Sequence, residues 1–360
     1  MSAGTADAEA HRPSPATGRV AAVVIGRNEG ARLVGCLESL SGRAAPVVYV
    51  DSGSTDDSVA AARALGASVV ELDPARPFTA ARGRNAGLSA LADSGTEAGV
   101  EPPSVQFVDG DCLLEPGWID TATAFLDAHP EYAVVCGRRK ERSPEASLWN
   151  RLADMEWNTP PGDAAACGGD ALMRRAAVEA AGGFREDLIA GEDPELSLRL
   201  ARAGWRIHRL DAPMTLHDAA MTRFGQWRRR TRRAGWAAAE GFALHGGGPE
   251  RYHRRTLLSI AVWGAGLPGL ILAGTVAATV MGMPAIAALA IMLGLALFGL
   301  QAFRIARGRR LARNDSWPDA IAYGAFTLFG KGEELIGALS YLLARLRGRR
   351  GRIIEYKGPS

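Results

Sequence analysis

From Thr256 to Phe303 the chain runs 48 residues without a charged side chain. One crossing of a bilayer needs about 20 apolar residues, so the run is long enough for two. Gly282-Met283-Pro284, near its middle, is a turn signal. A soluble helix of this length would show a polar face, and none is present. The run therefore predicts a transmembrane helical hairpin over 256–303. Its flanks fix the side. Arg223 to Arg255 carries 9 basic and 2 acidic groups, and Arg304, Arg307, Arg309, Arg310 and Arg313 follow the hairpin. Positive flanks stay in the cytoplasm, so both ends are expected inside, with only the turn reaching the far face.

The whole-chain averages hide this division. Mean hydropathy is −0.03 and net charge only +3 over 360 residues, figures that exclude a disordered chain but describe neither part. Met1 to Thr222 has 21 basic and 32 acidic side chains, a net of −11, whereas 223–255 and 256–360 each carry +7. Because the basic excess flanks apolar segments, it predicts a membrane surface as partner and no nucleic acid.

Around the hairpin, Phe224, Trp227, Trp236 and Phe242 interleave with Arg223 and Arg228 to Arg233. On a helix this makes 223–255 a basic amphipathic interfacial segment whose arginines face anionic headgroups or an acceptor phosphate. Arg345, Arg347, Arg349, Arg350 and Arg352 offer a second such contact. Ala320 to Ala344 is apolar but interrupted by Lys331, Glu333 and Glu334. Charges in mid-span are costly in lipid, so 304–360 is expected to form a basic loop, two short interfacial or re-entrant helices and a tail. Residues 1–18 lack the apolar core of a signal peptide and are expected to form a disordered tail. Cys36, Cys112, Cys136 and Cys167 have no metal-type spacing and are expected to stay reduced.

Between Arg19 and Thr222 short apolar runs alternate with helical stretches. Strands are expected at Val20–Ile25, Val47–Val50, Val69–Leu72 and Val105–Val108, with helices through Ala31–Leu40, Val59–Leu65 and Thr79–Leu91. That alternation predicts an α/β fold with a doubly wound parallel sheet, whose ligands bind beyond the carboxyl ends of the strands. Strand one ends in Gly26-Arg27-Asn28-Glu29, strand two in Asp51-Ser52-Gly53-Ser54-Thr55-Asp56, and strand four in Asp109-Gly110-Asp111. Asp56 and Asp57 also sit where a helix begins and are natural caps. Asp109 and Asp111 are different: two carboxylates one glycine apart repel unless a cation neutralises them. Hard oxygen ligands suit Mg2+ or Mn2+, which in turn binds a diphosphate.

These pieces stand in order with three more: Arg82-Gly83-Arg84-Asn85-Ala86-Gly87, Gly182-Gly183-Phe184 and Gly191-Glu192-Asp193, the last followed by a helix to Ala203-Gly204-Trp205. In that order, from Val20 to about His217, they resemble a family 2 glycosyltransferase. The resemblance implies the GT-A fold, a Rossmann-like mostly parallel sheet with helices on both faces, over 19–222. It implies that Asn28, Glu29, Asp51, Arg84 and Asp109 hold a nucleotide sugar, a UDP- or GDP-sugar. Asp109 and Asp111 match the DXD motif, with Asp111 the direct metal ligand and His217 a further one. Asp193 matches the general base that deprotonates the acceptor hydroxyl, so that one displacement inverts the anomeric centre. Asp193 is also placed to cap the helix that begins at Pro194. Asp170, in Cys167-Gly168-Gly169-Asp170, and Glu192 are candidates to line the acceptor pocket.

The chain also departs from the family. Ile25-Gly26-Arg27 replaces the Pro-x-Tyr common before Asn-Glu, so a guanidinium takes the place of a stacking ring, and Ser52 stands where a second acid is common. Gln226 and Arg229 keep two positions of the Gln-x-x-Arg-Trp motif of processive synthases, with Arg230 in the tryptophan position; they are candidate phosphate contacts. With two clear spans the expectation is a non-processive, metal-dependent hexosyltransferase in the bacterial inner membrane, its catalytic domain cytoplasmic. It would add one sugar to a lipid-linked saccharide or other membrane acceptor, in exopolysaccharide or cell-envelope glycan synthesis. The alternatives are transfer onto polyprenyl phosphate, or a non-catalytic membrane subunit that binds a sugar nucleotide.

Overall fold

The computed structural model describes residues 18–93 and 101–348. Residues 1–17 of the expected tail and the basic positions Arg349, Arg350 and Arg352 lie outside them. The described residues form two compact units: one takes the chain up to Arg142, Trp157–Leu188 and Glu192–Ala219, the other Ser143–Glu156, Ile189–Gly191 and the chain from Ala220.

The first unit is built on a nine-stranded sheet. Its first half is the alternation read from the sequence: β1 (Val20–Gly26), α1 (Ala31–Leu40), β2 (Val47–Asp51), α2 (Ser58–Ala64), β3 (Ser68–Glu71), α3 (Ala80–Asp93) and β4 (Ser104–Asp109). β1 is buried from Val20 to Val24, as an unbroken apolar run must be in a strand covered on both faces. It pairs in parallel with β2 (Val23 opposite Val48) and with β4 (Val23 opposite Phe107). α3 lies close against β1 because Gly87 carries no side chain; a Cβ there would overlap Val23. The second half adds β5 (Cys112–Leu114), α4 (Trp118–Ala128), β6 (Tyr132–Glu141), α5 (Leu148–Trp157), β7 (Gly162–Asp163), β8 (Ala171–Arg174), α6 (Arg175–Ala180), α7 (Glu192–Arg202) and β9 (Arg206–His217). α5 belongs to the second unit up to Glu156.

Strand order is β3-β2-β1-β4-β8-β6-β9-β5, with β7 on β9. β8 runs antiparallel to β4 and β6, and β5 antiparallel to β9, so the parallel order gives way to a mixed sheet beyond β4. The long β9 carries Met214 to His217 alongside Arg139, Lys140 and Glu141 of β6 and pairs Cys112 with His217. The carboxyl end of β4 is thereby ringed by polar residues from β5, β6 and β9.

The second unit is helical. α8 (Phe224–His245) is followed by α9 (Arg254–Ala261), a π-helical turn over Val262–Gly266, and α10 (Leu267–Val280). Pro268 lacks the N–H that an unbroken ladder needs, and the wider turn precedes it. α11 (Pro284–Arg313) and α12 (Trp317–Leu346) complete the unit. Arg254–Val280 and Pro284–Arg313 are long and apolar enough to cross a membrane. They break at Gly282, whose φ of +71° suits glycine, just before Pro284. Their apolar side chains face outward, Leu270 being 73% and Leu295 69% exposed.

The two short helices expected over 320–344 are instead one continuous 30-residue helix. Lys331 pairs with Glu334 at 2.7 Å, and Glu333 receives both Arg228 and Arg232 of α8. With its charges satisfied inside the unit, the helix has no cause to break. Glycines bring these helices to backbone contact: a Cβ on Gly235 would overlap the Glu334 carbonyl, and one on Gly337 the Arg232 carbonyl. Arg228 and Arg232 are paired with Glu333 and Arg230 with Glu156, so three of the arginines also hold this unit together.

Candidate active site

Four segments of the first unit supply the site: the turn after β4, the start of α3, the start of α7, and the ends of β6 and β9. The β4 turn is tight, the Gly110 N–H donating to the Ile25 carbonyl at 2.8 Å. It holds Asp109 half-buried and Asp111 buried, 5% exposed.

Arg84 is the hub. Its guanidinium is 3% exposed and contacts three carboxylates: Nη2 lies 3.1 Å from Asp109 Oδ1, and Nη1 lies 2.9 Å from Glu192 Oε1 and 3.0 Å from Asp193 Oδ1. It also stands over the Phe184 ring at 5.5 Å. The rest of its motif is scaffolding. Asn85 exchanges hydrogen bonds with the Phe184 backbone at 2.8 Å, and Arg82 donates to the Asp73 and Arg76 carbonyls. Asp193, the expected general base and also a candidate cap, lies within the first turn of α7, which begins at Glu192. Burial pushes its carboxyl up to about 7, against the pull of Arg84 and with the push of Glu192 and Asp109. A carboxylate poised near neutrality is matched to general-base work.

His217 stands between two acids, Nε2 3.5 Å from Asp111 Oδ2 and Nδ1 3.6 Å from Glu141 Oε2, with the Trp157 ring edge-on at 4.7 Å. Ligand atoms of Asp111, Cys112 and His217 lie within 4.8 Å of one another, as do those of Asp109, Cys112 and Asp170. Cys112 is common to both groups. Burial and the charge of Asp170 raise its thiol well above the usual range, and its S–H donates to Asp170 Oδ2 at 3.3 Å. Asp111 and His217 of the first group could hold a divalent ion, a hard carboxylate and an imidazole suited to Mn2+, while Asp109 stands in the second group. Glu141 behind the imidazole is the outer partner such a ligand calls for.

The structure thus brings together Arg84, Asp109, Asp111, Asp170, Glu192, Asp193 and His217. Asn28, Glu29 and Asp51 lie on the neighbouring strand ends. Asn28 accepts from the Thr55 N–H at 2.7 Å, and its own N–H donates to Ser54 Oγ at 2.9 Å. Asp51 is buried, accepting from Tyr49 and Ser54 hydroxyls and from the Gly53 and Ser54 N–H groups; it shapes the loop. Glu29 pairs with Arg32 at 2.8 Å. Arg27 stands over Phe78 at 5.8 Å. Gln226 and Arg229 lie on α8 of the second unit. Gln226 is buried as a cap, accepting from the Thr222 and Arg223 N–H groups.

Sequence reading missed Arg139, Glu141 and Trp157. Arg139 reaches Asp109 Oδ2 at 3.2 Å and stacks over Trp157 at 5.0 Å. A signal existed: Arg138-Arg139-Lys140-Glu141 is a charged run ending the buried apolar stretch Tyr132–Cys136, the criterion already applied to β2 and β4.

The mixed sheet thus carries a DXD turn at the end of β4, with His217 near Asp111 and the buried Asp193 at the start of α7. The model of glycosyltransferase like family 2 matches residues 15–237, and the chain belongs to that family. The structure is similar to mannosyltransferase PcManGT from Pyrobaculum calidifontis, solved in complex with GDP-Man and Mn2+. That likeness covers 90% of this chain and 87% of that one at 19% identity, with a TM-score of 0.59. TarS of S. aureus is more distant, with 18% identity, a TM-score of 0.43, and coverage of 71% of this chain and 49% of that one. No curated protein matches the sequence.

Proposed function

We propose that the protein transfers a single sugar from a nucleotide sugar, with Mn2+ or Mg2+, to a hydroxyl of a membrane-borne acceptor, inverting the anomeric centre. The observation that carries this is the buried Arg84 bridge, which links Asp109 of the DXD turn to Asp193. Asp193 takes the acceptor proton as the acceptor oxygen bonds to the anomeric carbon, while the bond from that carbon to the diphosphate breaks. Arg84 keeps Asp193 oriented and favours its ionised form. Asp111 and His217, with Asp109 nearby on the same turn, would hold a divalent ion, which when bound would supply the positive charge that a departing diphosphate needs. Asp51 and Asn28 shape the loops offered to the nucleoside, and Arg27 with Phe78 offers a flat surface for the base.

Two long apolar helices with outward-facing leucines support membrane anchoring. Arginines at both ends of the pair support a catalytic unit on the cytoplasmic face of a bacterial inner membrane. Such anchoring favours a lipid-linked saccharide as acceptor, in cell-envelope or exopolysaccharide synthesis. Polyprenyl phosphate is the second acceptor considered. Asp193 favours the hydroxyl, because a phosphate is already ionised near pH 7 and needs no base.

The test is transfer of labelled sugar by the full-length protein, with GDP-mannose and Mn2+ as the first pair and UDP-sugars next, against bacterial lipid extract. Label in the organic phase, lost when the extract is replaced by polyprenyl phosphate alone, is the expected result. Label confined to water-soluble saccharides overturns the membrane acceptor.

A further inference from the structure

The Gly169-Asp170 pair has no part in the chemistry above, and its surroundings give it a different one. Asp170 precedes β8 and is 1% exposed. Its Oδ1 accepts the Asp109 N–H at 3.1 Å. Its Oδ2 accepts from Thr215 Oγ1 of β9 at 2.8 Å and from Cys112 Sγ of β5 at 3.3 Å, and faces Arg139 Nε of β6 at 3.5 Å. A carboxylate has about four lone-pair sites; three hydrogen bonds reach Asp170, and Arg139 adds an ion-pair contact. A buried charge is costly unless it is so satisfied. At 1% exposure Asp170 offers almost no surface to an acceptor sugar, but it ties Asp109 at the start of the DXD turn and Cys112 just after it to the neighbouring strands. Gly169 complements it: a Cβ there would overlap the Arg84 guanidinium and come within 3.4 Å of Asp109 Oδ1. The missing side chain is what admits the Arg84–Asp109 pair.

We infer that Asp170 is a positioning residue: it sets the geometry of Asp109 and Asp111 toward the divalent ion through the Asp109 N–H, Cys112 and Thr215, and touches no substrate. The inference rests on the reading of Asp109 and Asp111 as the metal carboxylates. In Asp170→Asn the amide nitrogen would meet donors on at least one side, freeing the turn. Outer partners of metal ligands typically control affinity by about 10–100-fold.

The experiment is Mn2+ titration of the full-length protein with nucleoside diphosphate, followed by electron paramagnetic resonance of the free ion, with thermal unfolding in parallel. Asp170→Asn is expected to weaken Mn2+ binding about 10–100-fold. Thr215→Val is expected to weaken it several-fold and Thr215→Ser to restore it, which keeps the test open if Asp170→Asn does not fold. Wild-type affinity in folded Asp170→Asn or in Thr215→Val, with only a lower melting temperature, shows a purely structural role and overturns the inference. Absence of Mn2+ binding by the wild type refutes instead the metal reading on which it rests.

Discussion

Replacing Arg84 with methionine removes a side chain that touches Asp109, Glu192 and Asp193 together. The Arg84–Asp193 contact is 3.0 Å. At an effective dielectric of about 20, Coulomb's law gives roughly 5 kcal/mol for that separation. Water entering the hole and relaxation of the three acids offset most of it, leaving an expected rise in the Asp193 pKa of at least about one unit, or about 1.4 kcal/mol. The sign is fixed. The cation favours the ionised carboxylate, the ionised form is the base, and loss of the cation moves the acid limb of the rate profile to higher pH. From a starting value of about 7, a one-unit rise cuts the ionised fraction at pH 7 by ~5-fold. The assay is kcat/KM against pH 5.5–9 at fixed Mn2+ concentration, where the acid limb reports the free enzyme's base. Arg84→Lys keeps the charge and should hold the limb within about half a unit. An acid limb that stays in place in folded Arg84→Met would refute the coupling between Arg84 and the base.

Two further outcomes follow from the same geometry. His217→Ala should weaken Mn2+ binding at least as much as Glu141→Gln, which removes only the partner behind the imidazole and should cost about 10-fold or more; isothermal titration with Mn2+ measures both. Glu333→Ala leaves Arg228 and Arg232 without their shared carboxylate and should cost about 2 kcal/mol, read as a lower melting temperature in detergent, with unchanged stability contradicting the clamp.

The parallel half of the sheet was legible because β1, β2 and β4 are largely buried apolar runs ending at glycine or aspartate and β3 a short apolar run between helices. β5, β7 and β9 were not. Cys112–Leu114 and Gly162–Asp163 are too short to show a period, and β9 mixes Arg206, His208, Arg209 and Asp211 with its buried residues. That same opacity hid Arg139 and Glu141, since what brings them to the site is the pairing of β6 with β9. α12 was misread for a different reason. Lys331, Glu333 and Glu334 look like breaks when each charge is weighed alone in lipid, but the arginines that satisfy Glu333 lie about 100 residues earlier in α8. Of the site, Asp109, Asp111 and Asp193 were visible as acids at element ends. Asp51, equally visible, also organises its own loop, which only its four donors reveal.

The most direct test of the account is release of nucleoside diphosphate by the purified full-length protein, measured with a panel of nucleotide sugars, Mn2+ and acceptor-rich membrane extract, beside Asp193→Asn. The account predicts release that requires both metal and extract and falls about 10²–10⁴-fold in the variant, whose nucleotide and Mn2+ binding persist. Full turnover by Asp193→Asn, or no release from any donor, would contradict it.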